Sequence, residues 1–397
     1  MEGWADRLAG WNPGRLRVLV VGAGISGLTV AAALRKYNVH PTIVDRASDL
    51  GHARYSLGLY PIGSRVLHGL GVHDAFLEAS VGYDAYELHD GRGNLVQAYD
   101  MRGTFESIGP FRGLRRSELL HILQGALGGL PIHFSASATG IAQDDGGALV
   151  TFHDGTSANF DLVIGADGIQ SATRALVMDK NEYAIFDTGW SCWMTWTQAP
   201  LAPARCIKEY WGSGIFLGIY PVKDAFMVCA AARKAVLTEQ SGGASADHFR
   251  KMYAGLGAAL VDPIAAALDA DPYPFVWDLH DYRSKAWYAG RVALVGDAAA
   301  GFLPTAGIGA SMAMTSATAL ADELSRTDAR HMNVALRAYE LRQKRRVEAA
   351  QSKSRELAKV MFLDSAPGAW GRDRLMKLYT PHQFAHDTIA LMENQLT

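Results

Sequence analysis

The sequence predicts a mixed α/β protein, a parallel-sheet domain interrupted by an inserted aromatic-rich β-sheet and followed by helices. Three observations predict it. An apolar run ending at Val21 is followed by Gly22-Ala-Gly24-Ile-Ser-Gly27 and then by helical periodicity. Two later apolar runs also end in glycine and acid, at Gly165-Ala-Asp167-Gly168 and at Gly296-Asp297. Between residues 188 and 275 the pattern changes to short β-runs crowded with aromatic side chains.

The first β-run covers Arg15 to Val21, the glycine turn opens a helix through about Tyr37, and Pro41 to Asp45 forms a second strand ending in an acid. In this strand-turn-helix-strand context each glycine answers a physical need. Gly22 permits the tight turn, Gly24 lets the backbone approach a pyrophosphate, and Gly27 allows close helix–strand packing. Ile25 and Ser26 begin the helix, whose free N–H groups and positive dipole end suit phosphate oxygens. Asp45, 23 positions beyond Gly22, is placed to accept hydrogen bonds from an adenosine ribose. The unit reads as a Rossmann-like dinucleotide site. A second glycine run, Gly212-Ser-Gly214-Ile-Phe-Leu-Gly218, leads into aromatic β-residues and reads as a hairpin turn. A nicotinamide donor therefore has no Rossmann domain of its own.

Tyr83 to Tyr99, with a turn at Asp90-Gly91, adds strands to the inserted sheet, and a helix is expected from about Ala246 to Leu260. From about Asn333 the pattern is helical and charged. The resulting division places 1–82, 100–187 and 276–345 in the nucleotide-binding domain, 83–99 and 188–275 in the sheet domain, and 346–397 in C-terminal helices packed on the first.

With 397 residues, 49% hydrophobic, the chain can bury a large core. A formal net charge of −2 and the lack of a basic-aromatic stripe argue against a nucleic-acid partner. The cluster Arg342-Gln-Lys344-Arg345-Arg346 reads as a solvated helix face. Cys192, Cys206 and Cys229 are few and widely spaced, which suits a reducing cytoplasm. His382 and His386 lack the glutamate of a zincin motif, and no metal is expected. The uncharged stretch Ala298 to Ala321 contains Pro304 and many Ser and Thr residues. It reads as a ligand-lining loop entering a buried helix rather than a transmembrane segment.

Taken together, the motifs resemble the single-component, FAD-dependent aromatic monooxygenases of the para-hydroxybenzoate hydroxylase type. The likeness rests on Gly58-Leu-Tyr-Pro61 leading to Leu70-Gly71-Val72, on Arg116-Ser-Glu-Leu119, on Asp161 through Arg174, and on Gly296-Asp297 with Pro304, Gly307 and Gly309. It implies a glutathione reductase-like FAD domain holding FAD, with NAD(P)H as transient electron donor. An oxygen atom from dioxygen would pass through a flavin hydroperoxide to a small electron-rich aromatic or polyketide-like substrate. It implies that Asp297 meets the ribityl hydroxyls, and that Arg46 and Arg116 lie near the adenosine and diphosphate. Gly307, Ile308, Gly309 and Ala310 would bring backbone N–H groups to the flavin's pyrimidine edge, and Asp167-Gly168 would contact flavin and nicotinamide. His52, Arg54, Tyr55 and Tyr60 fall in the loop beside the mobile ring. Arg54 and Tyr60 are the catalytic candidates, Arg54 also touching the cofactor, and Trp193, Trp196 and Tyr220 are the pocket candidates.

The third motif departs from the family pattern: Ala300 stands for histidine, Ile308 for glutamine, Ser311 for asparagine and Ser316 for an acid. A flavin halogenase is disfavoured, since no lysine occurs between Lys36 and Lys180. A prenyl-type reductase and a non-catalytic FAD-binding chaperone stay as alternatives. The sequence leaves open hydroxylation, epoxidation or Baeyer–Villiger insertion, NADH or NADPH, and oligomeric state.

Overall fold

The computed structural model describes residues 16–51, 55–106, 108–239, 245–271 and 275–393. Its first sheet has six strands in the order Tyr288–Ala289, Val292–Leu294, Leu162–Gly165, Val18–Val21, Thr42–Val44 and Ile132–His133. All neighbours pair in parallel except the antiparallel edge strand Tyr288–Ala289. The central strands are apolar at every position and buried on both faces, as parallel strands covered by helices require. Helices Ile25–Lys36 and Gly309–Ser325 pack against one another beside this sheet, burying Leu28, Leu34, Met314 and Leu320. Arg15, expected to begin the first strand, lies outside the described residues.

The second sheet has eight strands in the order Ala300–Gly301, Phe275–Ser284, Tyr183–Thr197, Ala225–Arg233, Ile215–Val222, Cys206–Trp211, Ala85–Asp90 and Leu95–Asp100. Segment 83–99 joins it as expected, and Gly212–Gly214 turns a hairpin between its strands. One face is covered by helices Ala246–Tyr253 and Ala258–Ala270 over Trp193, Leu217, Ile219 and Val228. The single helix expected over 246–260 is broken at Gly257, which has φ 86°.

Two expected boundaries are corrected. Strand Phe275–Ser284 hydrogen-bonds to Tyr183–Thr197 and belongs to the second sheet, so the inserted domain does not end at 275. The division at 345/346 falls inside one continuous helix of 30 residues, Met332–Met361. Its far half is tied to the second sheet: Gln351 Nε2 donates to the carbonyls of Tyr282 (2.7 Å) and Gly301 (2.6 Å), and Arg355 pairs with buried Asp281 at 2.6 Å. These long-range partners, rather than local propensity, fix where the helix runs. Among the described residues no helix is long and apolar enough to cross a membrane.

Candidate active site

The parallel register aligns three strand ends. Val21 pairs with Gly165, and Gly165 pairs with Leu294, so the three glycine-bearing turns leave the same edge of the sheet side by side. Their contacts are close. Gly22 has φ 109°, and a Cβ there would lie 2.5 Å from the carbonyl oxygen of Ala166. Gly296 has φ 61°, and its added Cβ would lie 1.9 Å from Ser26 Oγ. Gly22→Ala should therefore strain the backbone and push the first two motifs apart, costing ~2 kcal/mol or more. Denaturant midpoints measured together with bound-FAD content check this; wild-type values for both would refute it.

Around this convergence the polar groups are set for a dinucleotide. Gly24 precedes helix Ile25–Lys36 without a side-chain cap, leaving the helix N–H groups open. Arg116, the first residue of helix Arg116–Gly125, places a guanidinium nitrogen 3.8 Å from where a Cβ on Gly24 would stand. Asp45 accepts the N–H groups of Ala23 (2.6 Å) and Ala47 (2.8 Å), which orient its carboxylate at the end of the second strand, and Arg46 beside it is exposed. Asp297 accepts no hydrogen bond among the described residues. Burial pushes its carboxyl up to about 6, with Arg116 opposing the shift. A desolvated acid lacking donors, with a cation nearby, is an acceptor suited to the hydroxyl groups of a ligand. The Pro304–Ala306 turn then leads through Gly307 into helix Gly309–Ser325, which has no acidic residue in its first turn and no side-chain cap. Ile308, where the family pattern has glutamine, is buried in the core. The backbone cradle for FAD is present with an apolar side chain behind it.

The other face of the eight-stranded sheet carries Trp190, Cys192, Met194, Trp196, Trp211, Phe216, Tyr220, Met227 and Cys229; Ala358, Met361 and Phe362 cover part of it, Phe362 stacking on Trp190 at 4.6 Å. Tyr55 packs onto it, stacking on Phe275 at 5.7 Å. Burial raises the Tyr55 phenol pKa, with Arg116 opposing and Asp297 adding to the shift. Tyr55 therefore stands where the two domains' surfaces meet. Among the aromatics is one acid. Glu209 accepts hydrogen bonds from Tyr220 Oη (2.7 Å), Tyr86 Oη (2.8 Å) and Trp211 Nε1 (2.9 Å).

The protein family described as FAD binding domain matches residues 15–354. The chain belongs to that family. A 3-amino-4-hydroxybenzoate 2-monooxygenase of Streptomyces cremeus is 30% identical over 381 residues, covering 91% of this chain and 92% of that one. A FAD-dependent urate hydroxylase of Mycolicibacterium vanbaalenii is 28% identical, covering 77% and 78%. Klebsiella pneumoniae HpxO, solved with FAD and uric acid, superposes with a TM-score of 0.85 at 24% identity, covering 96% and 98%, and so shares the fold. The protein is an FAD-dependent oxidoreductase of the flavin monooxygenase type, and FAD is its cofactor.

Within this flavoprotein several expected residues take different places. Trp193 lies on the helix-covered face, against His248, because strand side chains alternate and three positions separate it from Trp196. Trp196 and Tyr220 lie on the opposite face, in the cluster that also holds Tyr55 and Phe275. Asp167 accepts the Thr173 N–H (2.8 Å), Thr173 Oγ1–H (2.9 Å) and the Ser171 hydroxyl, so its carboxylate orders the start of helix Ala172–Val177 rather than pointing free toward a ligand. The same motif supplies Arg174, which sequence reading passed over. Its buried guanidinium donates to the carbonyls of Ala298 (2.9 Å) and Ile169 (2.8 Å), fastening the second turn to the third.

Tyr60 is not placed as an acid or base. Its hydroxyl donates to the Ala306 carbonyl at 3.0 Å, and its backbone N–H donates to Ser311 Oγ at 3.1 Å. Burial holds the phenol pKa far above its ordinary value. It positions the Pro304–Ala306 turn ahead of helix Gly309–Ser325. Tyr60→Phe should retain FAD, leave the pH profile of flavin reduction unchanged and cost about 1 kcal/mol; loss of a limb in that profile would restore the catalytic reading. Arg54 and His52 lie outside the described residues.

Proposed function

We propose that this flavoprotein uses NAD(P)H and dioxygen to place one oxygen atom on a small electron-rich aromatic molecule held between the FAD cleft and the aromatic face of the eight-stranded sheet. The observation that carries this reading is Asp297, without a hydrogen-bond partner among the described residues, opposite a sheet face of aromatic, methionine and cysteine side chains. Relatives named for 3-amino-4-hydroxybenzoate and for urate support a ring substrate.

Bound FAD supplies electron relay from the nicotinamide and activation of dioxygen. The protein's own residues do the rest. Asp297 and Asp45 accept hydroxyl hydrogens, and Arg116 and the open helix ends oppose negative charge. Tyr60 fixes the Ala306 carbonyl and so the turn beyond it. Trp196, Tyr220 and Tyr55 exclude water from the substrate side, where a low dielectric strengthens every remaining dipole. The three buried, unpaired cysteines suit a reducing compartment such as the cytoplasm.

The test is turnover by the purified yellow protein under isotopically heavy dioxygen. NAD(P)H oxidation accelerated by a phenolic or heteroaromatic compound, with one heavy oxygen in the product, is the expected result. Turnover that proceeds equally without dioxygen would replace this reading with a reductase.

A further inference from the structure

The pairing register places Phe275, Met194, Cys229, Gly218 and Glu209 in one row across the eight-stranded sheet. Every member but the last is apolar or weakly polar. Gly218, directly opposite Glu209, supplies no side chain; a Cβ there would lie 2.5 Å from the Tyr220 ring, which folds over the glycine to reach the acid. The row begins where Tyr55 stacks on Phe275, reaches the carboxylate, and continues beyond it to Leu88. Glu209 keeps partial solvent contact although protein surrounds it. Its charge also acts on Tyr60, so it lies within electrostatic range of the Pro304–Ala306 turn.

Its partners are unusual for this chain. Two other sequestered acids meet arginine, Asp281 with Arg355 at 2.6 Å and Asp161 with Arg17 at 2.7 Å, while Asp167 is held by Ser171 and Thr173. Glu209 is held by two phenols and an indole, all neutral, and forms no ion pair among the described residues. Neutral donors orient a buried carboxylate without cancelling its charge, and an uncompensated charge is costly to bury. Burial accordingly raises its pKa while the three donors oppose the shift. Both tyrosine hydroxyls donate to Glu209, so each oxygen keeps only its acceptor lone pairs. The resulting wall offers acceptors and negative potential, and within the cluster no donor is left over.

The geometry points to Glu209 as the specificity-determining group of the substrate cavity, selecting a ring that carries a basic or strongly donating N–H substituent and rejecting a benzoate-type anion. This assignment rests on the monooxygenase reading for the location of the substrate. A ligand ammonium or amino group would supply the missing counter-charge, and a carboxylate would meet like charge in a low dielectric.

The experiment titrates the oxidised FAD-loaded protein with 4-hydroxybenzylamine, 4-hydroxybenzyl alcohol and 4-hydroxybenzoate, reading perturbation of the flavin absorbance. The amine is expected to bind roughly tenfold or more tightly than the benzoate. Glu209→Gln, which keeps the size and can still accept hydrogen bonds, should erase that ratio while retaining FAD. Equal or tighter binding of the benzoate overturns the assignment, as does no response to any of the three, or a preference that survives in E209Q. The wild-type ratio decides even if the variant fails to fold. Because the readout needs no turnover, it fails separately from the oxygenation assay.

Discussion

Asp297→Ala is expected to yield colourless protein that folds but no longer retains FAD through purification. The carboxylate has no other hydrogen-bond partner among the described residues, so its whole purpose in the cleft falls to a ligand. A hydrogen bond to a charged group contributes about 1.5–3 kcal/mol, and two ribityl contacts together correspond to roughly a hundredfold or more in affinity. The same substitution should stabilise the cofactor-free protein. The acid's ordinary value is 3.8 and burial raises it to about 6. Between those values the unfolded chain loses its proton first, so folding stability falls as pH rises through this window. Above it the penalty is complete, at most about 3 kcal/mol. Asp297→Asn removes the penalty and keeps one acceptor. Its apoprotein should therefore unfold at higher denaturant than wild type at neutral pH, and near pH 4 the two should converge. FAD binding to the wild-type apoprotein should tighten as pH rises through about 6, because the hydroxyls favour the ionised acid. Full FAD content in Asp297→Ala, measured after gel filtration, would remove this residue from the site.

The cofactor side of the molecule was legible in the sequence because its requirements are local. Gly22, Gly24 and Gly27 follow a strand and open a helix, and the acid at Asp45 closes the next strand; backbone sterics confine such positions to few residue types. The substrate side obeys cross-strand rules that a one-dimensional string hides. Trp193 and Trp196 look equivalent in the sequence, yet strand alternation sends one under the helices and the other onto the opposite face. Glu209 reads as an ordinary polar residue until pairing brings Tyr86 from a distant hairpin and Tyr220 from the adjacent strand onto it. Its signal is faint but present: Ile207, Glu209 and Trp211 share one face, so an acid occupies a place the alternation marks as interior. Asp167 departs from expectation for a related reason. Its motif marks a ligand-bearing turn, but the carboxylate is claimed by Ser171 and Thr173 immediately downstream.

Arg174→Met is expected to cost about 3 kcal/mol of stability and to weaken FAD binding in the same variant. Arg174 is 3% exposed, and its guanidinium lies 4.6 Å from the Tyr282 ring centroid and 4.8 Å from that of Tyr183 and donates to two carbonyls. Burial lowers its pKa, with both tyrosines and Asp167 opposing the shift. Methionine fills much of the volume without offering a donor. Both carbonyls then stay dry and unpaired at about 1–3 kcal/mol each, and the two cation–π contacts are lost, offset in part by relief from burying a charge. The consequence for the cofactor follows from chain order. Ala298, whose carbonyl Arg174 holds, is the residue after Asp297, so the arginine fixes the backbone that aims the Asp297 carboxylate. Excess FAD should raise the variant's unfolding midpoint by mass action and still leave it below wild type, since the lost hydrogen bonds are not the ligand's to restore. Denaturation curves at increasing FAD, with affinity taken from fluorescence quenching, separate the two effects. A variant with wild-type affinity but reduced stability would make Arg174 a support of the fold alone, and unchanged values for both would dissolve the coupling between the second and third turns.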